Sequence, residues 1–129
     1  MKKDISTRQD IELLVDTFYG KVRTNPVLDP IFSDIAKVNW ESHLPRMYTF
    51  WAALILGEGG FKGNPMKKHV ELSKMTRLSE GEFTEWLSLF YQTTDELFEG
   101  EKAAEAKTKA STIAQLMLHK IQANEQIGF

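Results

Sequence analysis

The chain has 129 residues, a formal net charge of −2 at pH 7, 42% apolar residues and no cysteine. That length suits one domain that buries its core without staples, and the apolar fraction excludes a disordered chain. Without cysteine there are no disulfides, thiolate zinc sites, iron–sulfur clusters or cysteine nucleophiles, and the scattered basic residues argue against nucleic-acid and anionic-membrane partners.

Met1-Lys2-Lys3-Asp4 leads into a polar run that lacks the apolar core of a signal peptide. Ser6 and Gln9 have capping-box spacing. After them Ile11, Leu14, Val15, Phe18, Tyr19 and Val22 recur at helical spacing. Asn25-Pro26 ends this first helix. Tyr19 carries the one hydroxyl on an otherwise apolar stripe, and burying it unpaired would cost roughly 1–3 kcal/mol, so it needs a partner. Asp29-Pro30 starts a short second helix, with Asp as N-cap, Pro in the first turn and Phe32 as its apolar anchor. The third helix carries Trp40, His43, Leu44, Met47, Phe50, Trp51, Leu54 and Ile55 and stops at Gly57. Pro45 removes an internal donor if that helix starts at Asn39. With Ser42 as N-cap it falls in the first turn, and His43 then stands at the very start of the helix, on its inner edge.

Gly57 to Gly63 is a loop with Phe61 expected beneath it. Gly59-Gly60 matches neither a P-loop nor a dinucleotide fingerprint. Asn64-Pro65 caps a short helix in which Met66, His69 and Leu72 share one face. Ser79 and Glu82 form a second capping box. Phe83, Trp86, Leu87, Phe90, Tyr91, Thr94, Leu97 and Phe98 then make the most aromatic helix, ended by Gly100. The last helix turns Ala106, Ala110, Ile113, Ala114, Met117, Leu118 and Ile121 inward and leaves His119 to solvent. No strand pattern is present, so the chain is expected to be all-α with about six helices. Its densest apolar run, Trp51 to Leu56, is too short to span a membrane. A soluble cytoplasmic protein is expected.

Three histidines without cysteine leave few metal options. No zinc spacing and no paired Glu-x-x-His motif occurs, and no nucleophile elbow supports a Ser-His-Asp triad. His69 alone is compatible with an ordinary core histidine. Taken alone the stretch favours that reading; in a chain with eight Phe, three Trp and three Tyr, what remains is a single nitrogen ligand in an aromatic pocket, which describes haem with its sixth iron position open.

The segments Phe18-Tyr19-Gly20-Lys21-Val22-Arg23, Leu28-Asp29-Pro30-Ile31-Phe32, His43 to Gly57 with Phe50-Trp51, Pro65-Met66-Lys67-Lys68-His69 and Glu85-Trp86-Leu87-Ser88-Leu89-Phe90 together resemble the truncated haemoglobins, in particular their third group. The resemblance runs over nearly the whole chain and rests on the order and spacing of the segments. It implies a globin-like two-on-two helical sandwich with haem b, iron protoporphyrin IX, as cofactor. It places His69 as the proximal iron ligand, and Tyr19, His43 and Trp86 on the distal, ligand-binding side. Phe32, Met47, Phe50, Trp51 and Phe90 are expected against the porphyrin, and Arg46 near its propionates. The implied function is reversible binding of a diatomic ligand (dioxygen, nitric oxide or carbon monoxide) by a monomer. The alternative is a nitric-oxide dioxygenase or peroxidase-like enzyme. Because the chain has no flavin or nicotinamide motif, that activity would depend on an external reductase. A haemless helical interaction module is the reading from another class.

Overall fold

The computed structural model describes residues 2–59 and 78–127, the side chains of 34 and 122–127 excepted. The described elements are α1 (Arg8–Val22), a π-helical turn (Ile31–Ile35), α2 (Trp40–Leu56), α3 (Glu80–Leu97) and α4 (Glu101–Ile127). Helix α1 packs on both α2 and α3, α3 packs on α4, and α2 also meets α4. Two helix pairs, α1/α2 and α3/α4, therefore lie against each other, and the core is between them. The described elements are all helical. No described helix is long and apolar enough to cross a membrane.

The periodic stripe of α1 is the buried face of the helix: Ile11, Leu14, Val15, Phe18, Tyr19 and Val22 all point into the core. Its cap lies one residue later than the sequence suggests. Thr7, not Ser6, is the N-cap, and it is boxed with Asp10 rather than Gln9. The Thr7 hydroxyl accepts from the Asp10 N–H at 3.2 Å, and the Asp10 carboxylate accepts from the N–H groups of Ser6 at 2.9 Å and Thr7 at 3.1 Å. A carboxylate that also pairs with Lys3 is a stronger acceptor than an amide, so Asp10 takes the box.

Beyond α1, Asn25 rather than Asp29 opens the next turn. Its side-chain oxygen accepts from the N–H groups of Val27 at 2.9 Å and Leu28 at 3.0 Å. The Asp29 carboxylate instead accepts from the Ser33 hydroxyl at 2.7 Å. The turn widens into the π-helical segment, which is where Phe32 sits.

Helix α2 starts at Trp40 with Asn39 as N-cap, not at Ser42. The Asn39 side chain accepts from the Glu41 N–H at 3.0 Å, and its carbonyl accepts from His43 at 2.8 Å. Pro45 thus lies inside the helix, where its ring removes one backbone donor. His43 is accordingly a turn in from the helix start rather than at it. Gly57 closes α2 in the left-handed conformation at φ +73°, which costs glycine little.

Helix α3 ends at Leu97, before Gly100 is reached. The Ser79 hydroxyl donates to the Glu82 carboxylate at 2.6 Å and makes no bond to the helix backbone. Thr93 and Thr94 are fully buried and return their hydroxyls to the carbonyls of Leu89 and Phe90, which satisfies them inside the core. Buried Ala103, Ala106, Ala110 and Ala114 let α4 approach closely. Ile113 and Leu118 are only half-buried, and His119 is exposed. The N-terminal strap is tied down by Asp4. Its carboxylate accepts from the first N–H groups of α4, Lys102 and Ala103, at 2.9 Å each, and Ile5 beside it is buried.

Candidate functional site

Four rings meet where α1, the π-helical turn and α2 converge. Tyr19 comes from the buried stripe of α1, Phe32 from the π turn, and Trp40 and His43 from the first turns of α2. Each ring contacts the other three. Tyr19 lies 5.9 Å from Phe32, 5.4 Å from Trp40 and 5.2 Å from His43, centroid to centroid. Phe32 stacks on Trp40 at 5.9 Å, and His43 stands edge-on to Phe32 at 6.4 Å and to Trp40 at 5.6 Å. Trp40 and His43 are three residues apart in one helix, the spacing that puts both on the same face. The His43 Nε2 atom is shielded from solvent.

A second group of rings continues the wall. Phe18 touches Trp86 at 5.6 Å and Phe90 at 5.3 Å, both edge-on. Phe90 stacks between Trp86 at 5.8 Å and Trp51 at 4.8 Å, and Phe50 is edge-on to Trp51 at 5.4 Å. Phe18 and Tyr19, neighbours in α1 at 4.9 Å, join the groups. Edge-on and offset pairs of this kind add about 0.5–1.5 kcal/mol each beyond their buried area.

This apolar wall carries neutral donors. Tyr19 is 5% exposed, and burial pushes its phenol far above the ordinary range. It therefore stays protonated at any physiological pH. Among the described residues neither the Tyr19 hydroxyl nor the Trp86 indole N–H makes a hydrogen bond. A phenol that keeps its proton is a ready donor to a small polar ligand beside it.

The structure brings Tyr19, Phe32 and His43 together, and it gathers Phe50, Trp51, Trp86 and Phe90 alongside. Trp86 reaches Tyr19 through Phe18 rather than directly. Met47 is half-buried against the core, and Arg46 is exposed on α2. His69, with Phe61, Asn64 and the short helix expected around them, lies outside the described residues. Trp40 is not among the site residues expected from the sequence, although it touches all three other rings of its group. Its three-residue offset from His43 was the available signal. Arg23 is the other omission: its guanidinium lies 4.9 Å above the Trp40 ring.

No protein-family model matches the chain. It is 34% identical over 127 residues to the group 3 truncated haemoglobin ctb of Campylobacter jejuni, an alignment covering 93% of this chain and 97% of that relative. Among solved structures it is similar to the group III truncated haemoglobin of Campylobacter jejuni, with a TM-score of 0.82, 30% identity, and coverage of 94% of this chain and 95% of that one. It is also similar to the group II truncated haemoglobin of Bacillus anthracis, with a TM-score of 0.73, 26% identity, and coverage of 88% and 86%.

Proposed function

Because this chain belongs to the group III truncated haemoglobins, we propose that it binds haem b through His69 and holds a diatomic ligand, dioxygen first, on the side of Tyr19. Haem, when bound, supplies an iron with one position open to such a ligand. The residues present suit that group. Phe32, Phe50, Trp51 and Phe90 offer flat apolar contact, and Met47 adds a half-buried thioether. Arg46 is exposed on α2, as a side chain that meets propionates at the pocket edge must be.

The observation that carries this reading is the Tyr19 phenol, which stands on the buried stripe of α1 against Phe32, Trp40 and His43 and whose hydroxyl makes no hydrogen bond among the described residues. Burial keeps it protonated, so it donates and does not repel a ligand that gathers negative charge. Such a hydrogen bond is worth about 0.5–1.5 kcal/mol, and more when the acceptor is charged. The Trp86 indole is a second neutral donor, held between Phe18 and Phe90. The surrounding rings make an apolar wall beside both donors.

The test is the rate of dioxygen loss from the reduced protein in Tyr19→Phe and Trp86→Phe. Each is expected to lose the ligand faster, by roughly twofold to tenfold for one lost hydrogen bond. Unchanged rates in both would remove the distal-donor assignment.

A further inference from the structure

We infer that Trp40 is a positioning residue for the Tyr19 and His43 side chains, and that Arg23 holds Trp40 in place from the solvent side. This rests on the proposed reading of Tyr19 as the donor to the ligand.

Trp40 is the first residue of α2 and Arg23 is the C-cap of α1. The two helix ends are thus clasped together through a cation over an indole face, at 4.9 Å. This is the range in which the ring quadrupole attracts a guanidinium. Among the described residues Arg23 has no carboxylate partner, so the indole is the contact that orders its exposed side chain. Away from that contact Trp40 stacks on Phe32 and meets Tyr19 and His43. Among the described residues it is the largest ring around the Tyr19 phenol. Phe18 and Tyr19 share a helix, and His43 is tied to Trp40 through one helical turn. Trp40, half-buried beneath the exposed Arg23, covers one side of the group. Without its ring both Tyr19 and His43 gain room to tilt, and a donor tilted by an ångström loses much of its effect on the ligand. Arg23 acts one step further out: neutralising it loosens Trp40 without touching the other rings.

Two measurements on the intact protein with carbon monoxide test this. The first is the infrared stretching band of carbon monoxide, which reads the polarity and uniformity of the surroundings of the ligand. In the wild type one narrow band is expected. Trp40→Leu is expected to broaden or split it and to speed ligand loss on the order of fivefold, the scale of one weakened hydrogen bond. Arg23→Gln is expected to act in the same direction but less, and Arg23→Lys to restore the wild-type band. The second is the proton NMR position of the Arg23 δ-methylene, displaced upfield by the indole in the wild type and returning to its ordinary position in Trp40→Leu.

Wild-type bands in both Trp40→Leu and Arg23→Gln, while Tyr19→Phe shifts the band, would overturn this inference alone. An undisplaced Arg23 methylene in the wild type would overturn the clasp. A band unmoved in Tyr19→Phe would overturn the donor reading and this inference with it. Should Trp40→Leu fail to fold, the surface substitution Arg23→Gln carries the test with the same expected and contrary results.

Discussion

The imidazole of His43 stands edge-on to the phenol of Tyr19, ring centroids 5.2 Å apart and planes at 82°. The two come from different helices, so their meeting is a product of how α1 packs on α2. His43→Ala would remove one side of this contact. The vacated space lies beside the proposed ligand position, so association of carbon monoxide after flash photolysis should speed up. Dissociation should stay within about twofold if Tyr19 supplies the main hydrogen bond, since that bond alone is worth about 0.5–1.5 kcal/mol. A loss of ligand retention as large as that of Tyr19→Phe would instead make His43 the principal donor.

Phe18 is the ring through which the two aromatic groups communicate, and it is 1% exposed. It touches Tyr19, Trp86 and Phe90 at once. Phe18→Ala is expected to lower unfolding stability by about 3–5 kcal/mol, the range for deleting a fully packed phenyl. Chemical denaturation measures it; a loss below about 1 kcal/mol would mean that the neighbouring rings close the cavity on their own.

The Thr7–Asp10 box makes part of the stability dependent on pH. Burial pushes the Asp10 carboxyl up, but the Lys3 ammonium and the N–H groups of Ser6 and Thr7 together outweigh it and hold the group at about 2, against 3.8 ordinarily. A depressed carboxyl stabilises the folded chain fully above its ordinary value, and the contribution disappears as the pH falls from 3.8 towards 2. Asp10→Asn should therefore cost about 1 kcal/mol at neutral pH, as for loss of a cap, and the difference from wild type should shrink on acidification through that window. A constant difference down to the lower value would separate the loss from the charge.

Gly100 takes φ +142°, and a Cβ built on it would lie 2.5 Å from the Asp4 side chain. The Asp4 carboxylate occupies that space because it caps α4. Burial raises its pKa, but the N–H groups of Lys102, Ala103 and Ile5 overcome this and leave it below the ordinary range. Gly100→Ala must both strain the backbone and push Asp4 off the helix end. A loss of at least about 2 kcal/mol is expected from the two effects, read as a lowered denaturation midpoint. An unchanged midpoint would show that the strap can shift without cost.

Much of this arrangement was legible in the chain and some was not. The stripe from Ile11 to Val22 is the buried face of α1 residue for residue, because a strict helical period leaves only one face to bury. The family resemblance implies distal places for Tyr19 and His43 and a porphyrin contact for Phe32; that these three rings touch one another comes from the packing of α1 on α2. What failed was local choice between similar signals. Ser6 and Thr7 both suit a cap, and so do Asn39 and Ser42; tertiary contacts and the partner at the third position decided each. Trp40 read as one more apolar residue on its stripe, since its contacts with Phe32 and Tyr19 join segments distant in sequence. The Asp4 cap on α4 spans almost the whole chain, and no local pattern announces such a pairing.

The most direct test of the central claim is the absorption spectrum of the purified protein, oxidised and reduced, with and without carbon monoxide, beside His69→Ala. The account predicts an intense Soret band that shifts with carbon monoxide and is lost or altered in His69→Ala. Purified protein that takes up no haem on reconstitution, or a His69→Ala spectrum identical to the wild type, would contradict it.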